Sequence, residues 1–256
     1  MKTIIQNKLR EIERAQCIKI LYACESGSRG WQFPSPDSDY DVRFIYVRTL
    51  HEYLSIAEKP DHLSLPVNDE LDIYGWDLSK VLKLIRKSNT TPFEWVQSPI
   101  TYIEEKGFKE ALLDICKSYF SQRNNTHHYL GIAKGAMETI NAEGGIKIKK
   151  LFYVIRPLLA AKWCLERNTI APMSIMPLMD LLPDEMKKAL QALILHKSTA
   201  PEGLMITPEK AWINWISETQ RLCIRASAHL VRGQFGPELL DELFRTTIYH
   251  YDYTGT

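Results

Sequence analysis

Residues Glu25–Val47 read ESGSRGWQFPSPDSDYDVRFIYV: a small-residue turn, a Pro- and Asp-rich loop, then a run of β-branched and aromatic residues. Tyr40–Val47 (YDVRFIYV) has strand composition. Just upstream, Cys17–Ala23 (CIKILYA) is an apolar run of strand length. Two strands are therefore expected, joined by Gly27-Ser28 and by the loop Gln32–Ser38 (QFPSPDS). Side chains alternate across a strand, so Asp39 and Asp41 are expected on one face, about 7 Å apart along it.

Two carboxylates so placed repel each other unless a cation lies between them. Mg²⁺ suits the position, because it takes a few carboxylates together with substrate phosphates and retains some water. Gly27-Ser28 lets the backbone turn tightly and approach a ligand. A helical turn starting at Arg29–Trp31 would point its free N–H groups at a phosphate. A two-metal phosphoryl-transfer site calls for a third carboxylate. Asp72, inside the apolar run Glu70–Trp76 (ELDIYGW), is the best candidate; Asp77 competes, but its place before Leu-Ser-Lys-Val favours a helix N-cap. Arg43 shares the strand parity of Asp39 and Asp41 and could pair with a carboxylate or meet a phosphate.

Outward from this segment, MKTIIQNKLREIERAQ is expected as an amphipathic helix; it lacks the apolar core of a signal peptide. Residues 59–69 (KPDHLSLPVND) read as a loop, Phe93–Val96 as a helical turn and Ile100–Tyr102 as an extended piece. From about residue 106 the pattern turns helical, over roughly 107–122, 125–142, 147–167 (with Pro157 inside), 173–181, 183–196, 208–231 and 236–249. The expected fold class is α+β: a small α/β domain with a mixed sheet over 1–105, followed by an all-helical domain over 106–256.

Composition agrees with an ordinary globular chain: 256 residues, 45% hydrophobic, 25% charged, net charge +1. That balance offers no global attraction to a polyanion. Residues 1–105 carry 13 Lys and Arg against 16 Asp and Glu, and residues 106–256 carry 19 against 15. The five cysteines are dispersed without a CxxC pair. They read as reduced residues of a cytoplasmic protein, and no apolar run approaches membrane-spanning length.

The spacing Gly27-Ser28-x10-Asp39-x-Asp41 resembles the signature of the DNA polymerase β-like nucleotidyltransferase superfamily. With LDIYGWDLSKVLKLIRKSNTTPFEWVQSP downstream, the stretch is similar to the RlaP-type nucleotidyltransferases, a family associated with RNA repair. The resemblance covers most of residues 20–165. It implies that Gly27 and Ser28 hold nucleotide phosphates and that Asp39 and Asp41 bind Mg²⁺, two ions in all, with Asp72 as the third carboxylate. It further implies transfer of a nucleoside monophosphate from an NTP to an acceptor hydroxyl, with RNA among the acceptors. Arg29-Gly30-Trp31-Gln32 stands where the family pattern leads one to expect Arg-Ala-Trp-Gly.

In the helical half, Lys149, Tyr153, Arg156 and Trp163 recur at spacings that put them on one helix face, able to stack on a base and neutralise phosphate. Together with Arg29 and Arg43, the first three are candidate nucleotide-binding residues. His127-His128-Tyr129 with Lys134 could form another wall of the cleft, while Ser38 and Glu25 could serve as local supports. Arg245 and His250 have an Arg-x4-His spacing also used by helical ribonucleases. A reading of a different class remains: a catalytically silent fold that binds nucleotide or a protein partner as a regulatory or antitoxin-like module.

Overall fold

The computed structural model describes residues 1–68, 70–138 and 145–253. The last residue of the loop expected over 59–69, and the last four of the helix expected over 125–142, lie outside the described residues. Helix α1 (Lys2–Ala15) buries Ile5, Leu9 and Ile12, the single apolar stripe its spacing allows. It leads into β1 (Lys19–Glu25), a helical turn α2 (Gly27–Gly30), β2 (Tyr40–Val47) and a short α3 (Leu50–Tyr53). Then follow β3 (His62–Asn68), β4 (Leu71–Asp77), α4 (Leu78–Arg86), α5 (Thr90–Trp95) and β5 (Thr101–Glu104).

These strands form one mixed sheet in the order β3-β4-β2-β1-β5. Only β2 and β4 run parallel; the other pairs are antiparallel. The expected loop at 59–69 is corrected here, because His62–Asn68 is an edge strand. Leu63 and Leu65 pack toward the α1 side of the sheet while His62 and Ser64 are exposed, a period-two alternation. An edge strand needs one hydrogen-bonded neighbour only and so tolerates Pro66.

Opposite parities of the strands feed two apolar layers. Val42, Phe44, Tyr46 and Ile73 meet α1, whereas Ile45 and Val47 face α4 and α5. Asp77 caps α4 by accepting the Ser79 amide at 2.8 Å, and Asn89 caps α5 by accepting the Thr91 amide at 2.9 Å.

The chain continues through α6 (Phe108–Ser118), α7 (Gln122–Glu138), β6 (Ile146–Lys147), α8 (Ile148–Arg167), α9 (Ile175–Leu178) and a 3₁₀ turn (Met179–Leu181). It closes with α10 (Asp184–Thr199), β7 (Met205–Ile206), α11 (Lys210–Ser227) and α12 (Glu238–Tyr253). α8 is the axis of this half, burying Leu151, Phe152, Ile155, Leu158 and Leu159 against α7 and α11. The two-residue ladder β6–β7 is too short to leave an alternating signal in sequence. Helices α6 and α12, through Leu112, Cys116 and Leu240, share the α4–α5 core with the sheet. No helix of the described residues is long and apolar enough to cross a membrane.

Candidate active site

The parallel pairing of β2 with β4 sets the site. Its register puts Asp41 opposite Asp72 and Arg43 opposite Tyr74, so the two carboxylates stand on adjacent strands, about 4.8 Å apart at the backbone. Arg43 Nη2 donates to Asp41 Oδ1 at 3.0 Å and to Asp72 Oδ2 at 2.7 Å. Its Nη1 also reaches the Val42 and Asp72 carbonyls. One guanidinium thus holds the charge between the strands.

Asp41 is the more enclosed carboxylate, its side chain 28% exposed against 58% for Asp72. Burial raises its pKa; Arg43 and Lys149 oppose the rise, while Asp72 and Asp39 add to it. Asp39 is exposed at the entry to β2.

The approach to Asp41 is shaped by Gly27, which has φ +56°. A Cβ there would lie 1.8 Å from Asp41 Oδ2, so only glycine lets this backbone lie against the carboxylate. The turn is fixed on both sides: Ser26 N–H donates to the Asp41 carbonyl, and Asp41 N–H donates to Glu25 Oε1, each at 2.8 Å. Glu25 is fully buried and also accepts the Tyr102 hydroxyl; burial raises its pKa against those two hydrogen bonds. Ser28 is buried in the same turn. Among the described residues the amides of Gly27, Ser28 and Arg29 have no backbone acceptor, as expected at the start of a helical turn.

Arg29 is drawn along the loop. It donates to the Ser38 carbonyl at 2.7 Å and the Asp39 carbonyl at 3.2 Å, and its guanidinium lies 4.0 Å from the Tyr40 ring centroid. Gln32 has φ +70°, a left-handed conformation that glycine adopts most readily. Gly30 is packed so closely that a Cβ would come within 2.7 Å of the Glu25 carbonyl oxygen.

α8 supplies the opposite wall. Lys149 Nζ donates to Glu202 Oε2 at 2.8 Å. Burial pulls the Lys149 pKa down, but the Glu202 hydrogen bond and the charges of Tyr153, Glu202 and Asp39 carry it above the ordinary value. Tyr153, its pKa raised by burial, lies within electrostatic reach of Asp41 and Arg43 and packs edge-on against Trp31. Lys147, Lys149, Lys150, Tyr153 and Glu202 border a cavity of about 500 Å³.

The structure does not bring Arg156 to this cavity. It is 2% exposed, paired with Glu94 at 2.9 Å and donating through Nε and Nη2 to the Met173 carbonyl. Trp163 is likewise elsewhere, donating to Thr169 at the far end of α8. Asp77 is buried at the opposite end of β4, where it accepts from the Ser79 amide and the Tyr53 hydroxyl. His127 and His128 line a different cavity, and Arg245 and His250 lie on α12.

Sequence reading passed over two supports of the loop. Glu202 accepts from Ser38 Oγ at 3.1 Å as well as from Lys149, and its amide donates to Asp37. Lys197, fully buried, donates to Ser35 Oγ at 2.9 Å. Both lie more than 160 residues from the loop in sequence, and no local pattern marks them.

Among the described residues no three or more Asp, Glu, His or Cys side chains are already gathered in metal-holding positions. The donor chemistry nevertheless fits Mg²⁺. That ion needs one or two carboxylates beside phosphate and water, and Asp41 with its neighbours offers oxygen donors next to the close backbone approach at Gly27.

The family model described as RlaP, the RNA repair pathway DNA polymerase beta family, matches residues 1–245. An uncharacterized protein, YcgL, of Bacillus subtilis (strain 168) is 41% identical over 204 residues, covering 79% of this chain and 78% of its own. A crystal structure of a nucleotidyltransferase-like protein from Exiguobacterium sibiricum 255-15 aligns over 94% of this chain and 80% of that one, with 11% identity and a TM-score of 0.29. The chain belongs to the RlaP family, which lies within the polymerase β-like nucleotidyltransferases.

Proposed function

We propose that this RlaP-family chain is a Mg²⁺-dependent nucleotidyltransferase that moves a nucleoside monophosphate from an NTP to an acceptor hydroxyl and releases pyrophosphate. The observation that carries the reading is the fit of Gly27 against Asp41, with Asp72 directly across the strand pair. That arrangement brings bare backbone N–H groups and ion-binding carboxylates to one point, as phosphoryl transfer requires.

In this reading Asp39 and Asp41 hold the ions, with Asp72 completing the set. When bound, Mg²⁺ offsets the charge of the triphosphate. Asp72, more exposed than Asp41 (58% against 28% for the side chains), also orients the acceptor hydroxyl and takes its proton. The acceptor oxygen bonds to the α-phosphorus as the bond to the β-phosphate oxygen breaks. Gly27, Ser28 and Arg29 line the phosphates, and Arg43 turns from its carboxylate partners toward them. Lys149 and Tyr153 form the nucleotide wall. RNA as acceptor, a cytoplasmic location, and a division into a catalytic unit over 1–105 and a helical unit over 106–256 belong to the same proposal. Pyrophosphate release from NTP should require Mg²⁺ and be abolished in Asp39→Ala and Asp41→Ala with the fold intact; full activity in the double variant would refute it.

One observation favours a second reading, a silent nucleotide- or partner-binding module: Arg43 already neutralises Asp41 and Asp72. Calorimetry with ATP and Mg²⁺ beside a turnover assay separates the two, since binding without pyrophosphate release supports the silent module.

A further inference from the structure

A second cavity, of about 340 Å³, opens where the turn between α4 and α5 meets the first turns of α7 and the segment after α11. It shares no lining residue with the cavity at Lys149 and Tyr153. Lys87, Arg123 and Arg232 all line it, with His127 and His128 beside them, and no Asp or Glu does so among the described residues. None of the three cations has a side-chain hydrogen bond or ion pair among the described residues. Arg123 Nε is sealed from solvent and without an acceptor.

The neutral groups around them are already engaged. Asn89 Oδ1 accepts the Thr91 amide at 2.9 Å, Asn124 Nδ2 donates to the Lys87 carbonyl at 3.1 Å, and the His128 ring meets Thr90 Oγ1. Converging like charges in a partly enclosed space repel, and a buried donor without an acceptor is destabilising. A single multivalent oxyanion relieves the repulsion among the three cations. Phosphate matches the guanidinium fork and supplies several acceptor oxygens to the cationic heads. No Phe, Tyr or Trp lines the cavity among the described residues, so it offers charge recognition and little platform for a base.

We infer that this cavity is a phosphate-binding site, separate from the Asp39–Asp41 cluster, that takes a phosphate carried by a polynucleotide strand or free in solution. The site does not depend on nucleotidyl transfer at the carboxylates.

Calorimetric titration with inorganic phosphate tests it. Without Mg²⁺, so that the carboxylate cluster holds no phosphate, wild type should bind one equivalent, and Lys87→Gln/Arg123→Gln/Arg232→Gln should bind on the order of tenfold more weakly or not at all. Binding should be unchanged in a control that neutralises the exposed Lys2, Lys106 and Lys210. Because Arg123 is partly buried, the single variants Lys87→Gln and Arg232→Gln, at exposed positions, should each weaken binding severalfold without a change in thermal midpoint.

A labelled oligoribonucleotide identifies the source. If the phosphate is a strand's, the triple variant binds the strand more weakly and its salt slope falls by about 1 per side chain removed. If strand affinity is unchanged while phosphate binding is lost, the site serves a free phosphate. No phosphate binding by wild type, equal binding by the triple variant, or an equal loss in the lysine control overturns the inference. Pyrophosphate release is scored separately, so failure here and failure of the transferase reading are distinguishable.

Discussion

Gly27 does two things that no other residue could do together. It takes φ +56°, and it leaves the space a Cβ would need beside Asp41, where the nearest carboxylate oxygen would be 1.8 Å away. Gly27→Ala should therefore displace Asp41 or the turn and lower pyrophosphate release by on the order of a hundredfold or more. The left-handed backbone adds only about 1–2 kcal/mol of instability. Activity and a denaturation midpoint measured on the same preparation separate these effects.

Lys197 is the other residue whose setting makes a sharp prediction. Burial lowers its pKa below the ordinary lysine value, so the unfolded chain holds the proton more tightly than the folded one. Stability from this group is present above the unfolded pKa and is lost as pH falls through the folded one. Lys197→Met should flatten the rise in stability of the wild type through the alkaline range below the usual lysine pKa, as read by urea denaturation at a series of pH values. An equal slope in both proteins would show that Lys197 is not the group responsible.

At the scale of elements, β2 was legible to the residue, because Tyr40–Val47 has the β-branched and aromatic composition of a strand, and it is buried on both faces from Phe44 onward. The parity argument for Asp41 and Arg43 follows from that strand alone. The partnership of Asp41 with Asp72 does not, since it depends on the parallel register of β2 with β4. The chain alone favours Asp72 over Asp77, which reads as an N-cap, but only pairing shows that Asp72 stands by Asp41 while Asp77 caps α4.

α8 teaches the complementary lesson. Periodicity placed Lys149, Tyr153 and Arg156 in one direction around the helix, but says nothing about how far along its axis the covering layer extends. Lys149 emerges at the cavity, whereas Arg156, two turns further on, lies beneath Trp31 and pairs with Glu94. Arg156→Leu should thus destabilise the protein by about 3–5 kcal/mol by stranding a buried carboxylate, a loss measurable by chemical denaturation. Lys149→Ala should leave stability nearly unchanged and raise KM for the NTP. If Arg156→Leu instead changed only KM, the side chain would belong to the nucleotide site.

Across the whole molecule, three apolar clusters hold the site from three sides. One lies between α1 and the sheet, one between the sheet and α4–α6 with α12, and one around α8. The loop that delivers Asp39 is tied to the third of these by Phe33, which stacks on Phe152, and by the Ser38–Glu202–Lys149 chain of hydrogen bonds. These long-range ties were invisible in sequence because polar residues such as Glu202 carry no periodic signal of their partner. The strand–turn–strand segment, in contrast, declares its chemistry locally.

The central claim is that the α-phosphate of an NTP leaves on an acceptor at Asp39, Asp41 and Asp72. It is tested most directly by incubating the protein with Mg²⁺ and cellular RNA in parallel with α-labelled and γ-labelled NTPs. Label should enter the acceptor from the α position only, the γ label should appear in pyrophosphate, and both should vanish in Asp41→Asn. Transfer of the γ label, or unchanged α-label incorporation by a folded Asp41→Asn protein, would contradict the claim.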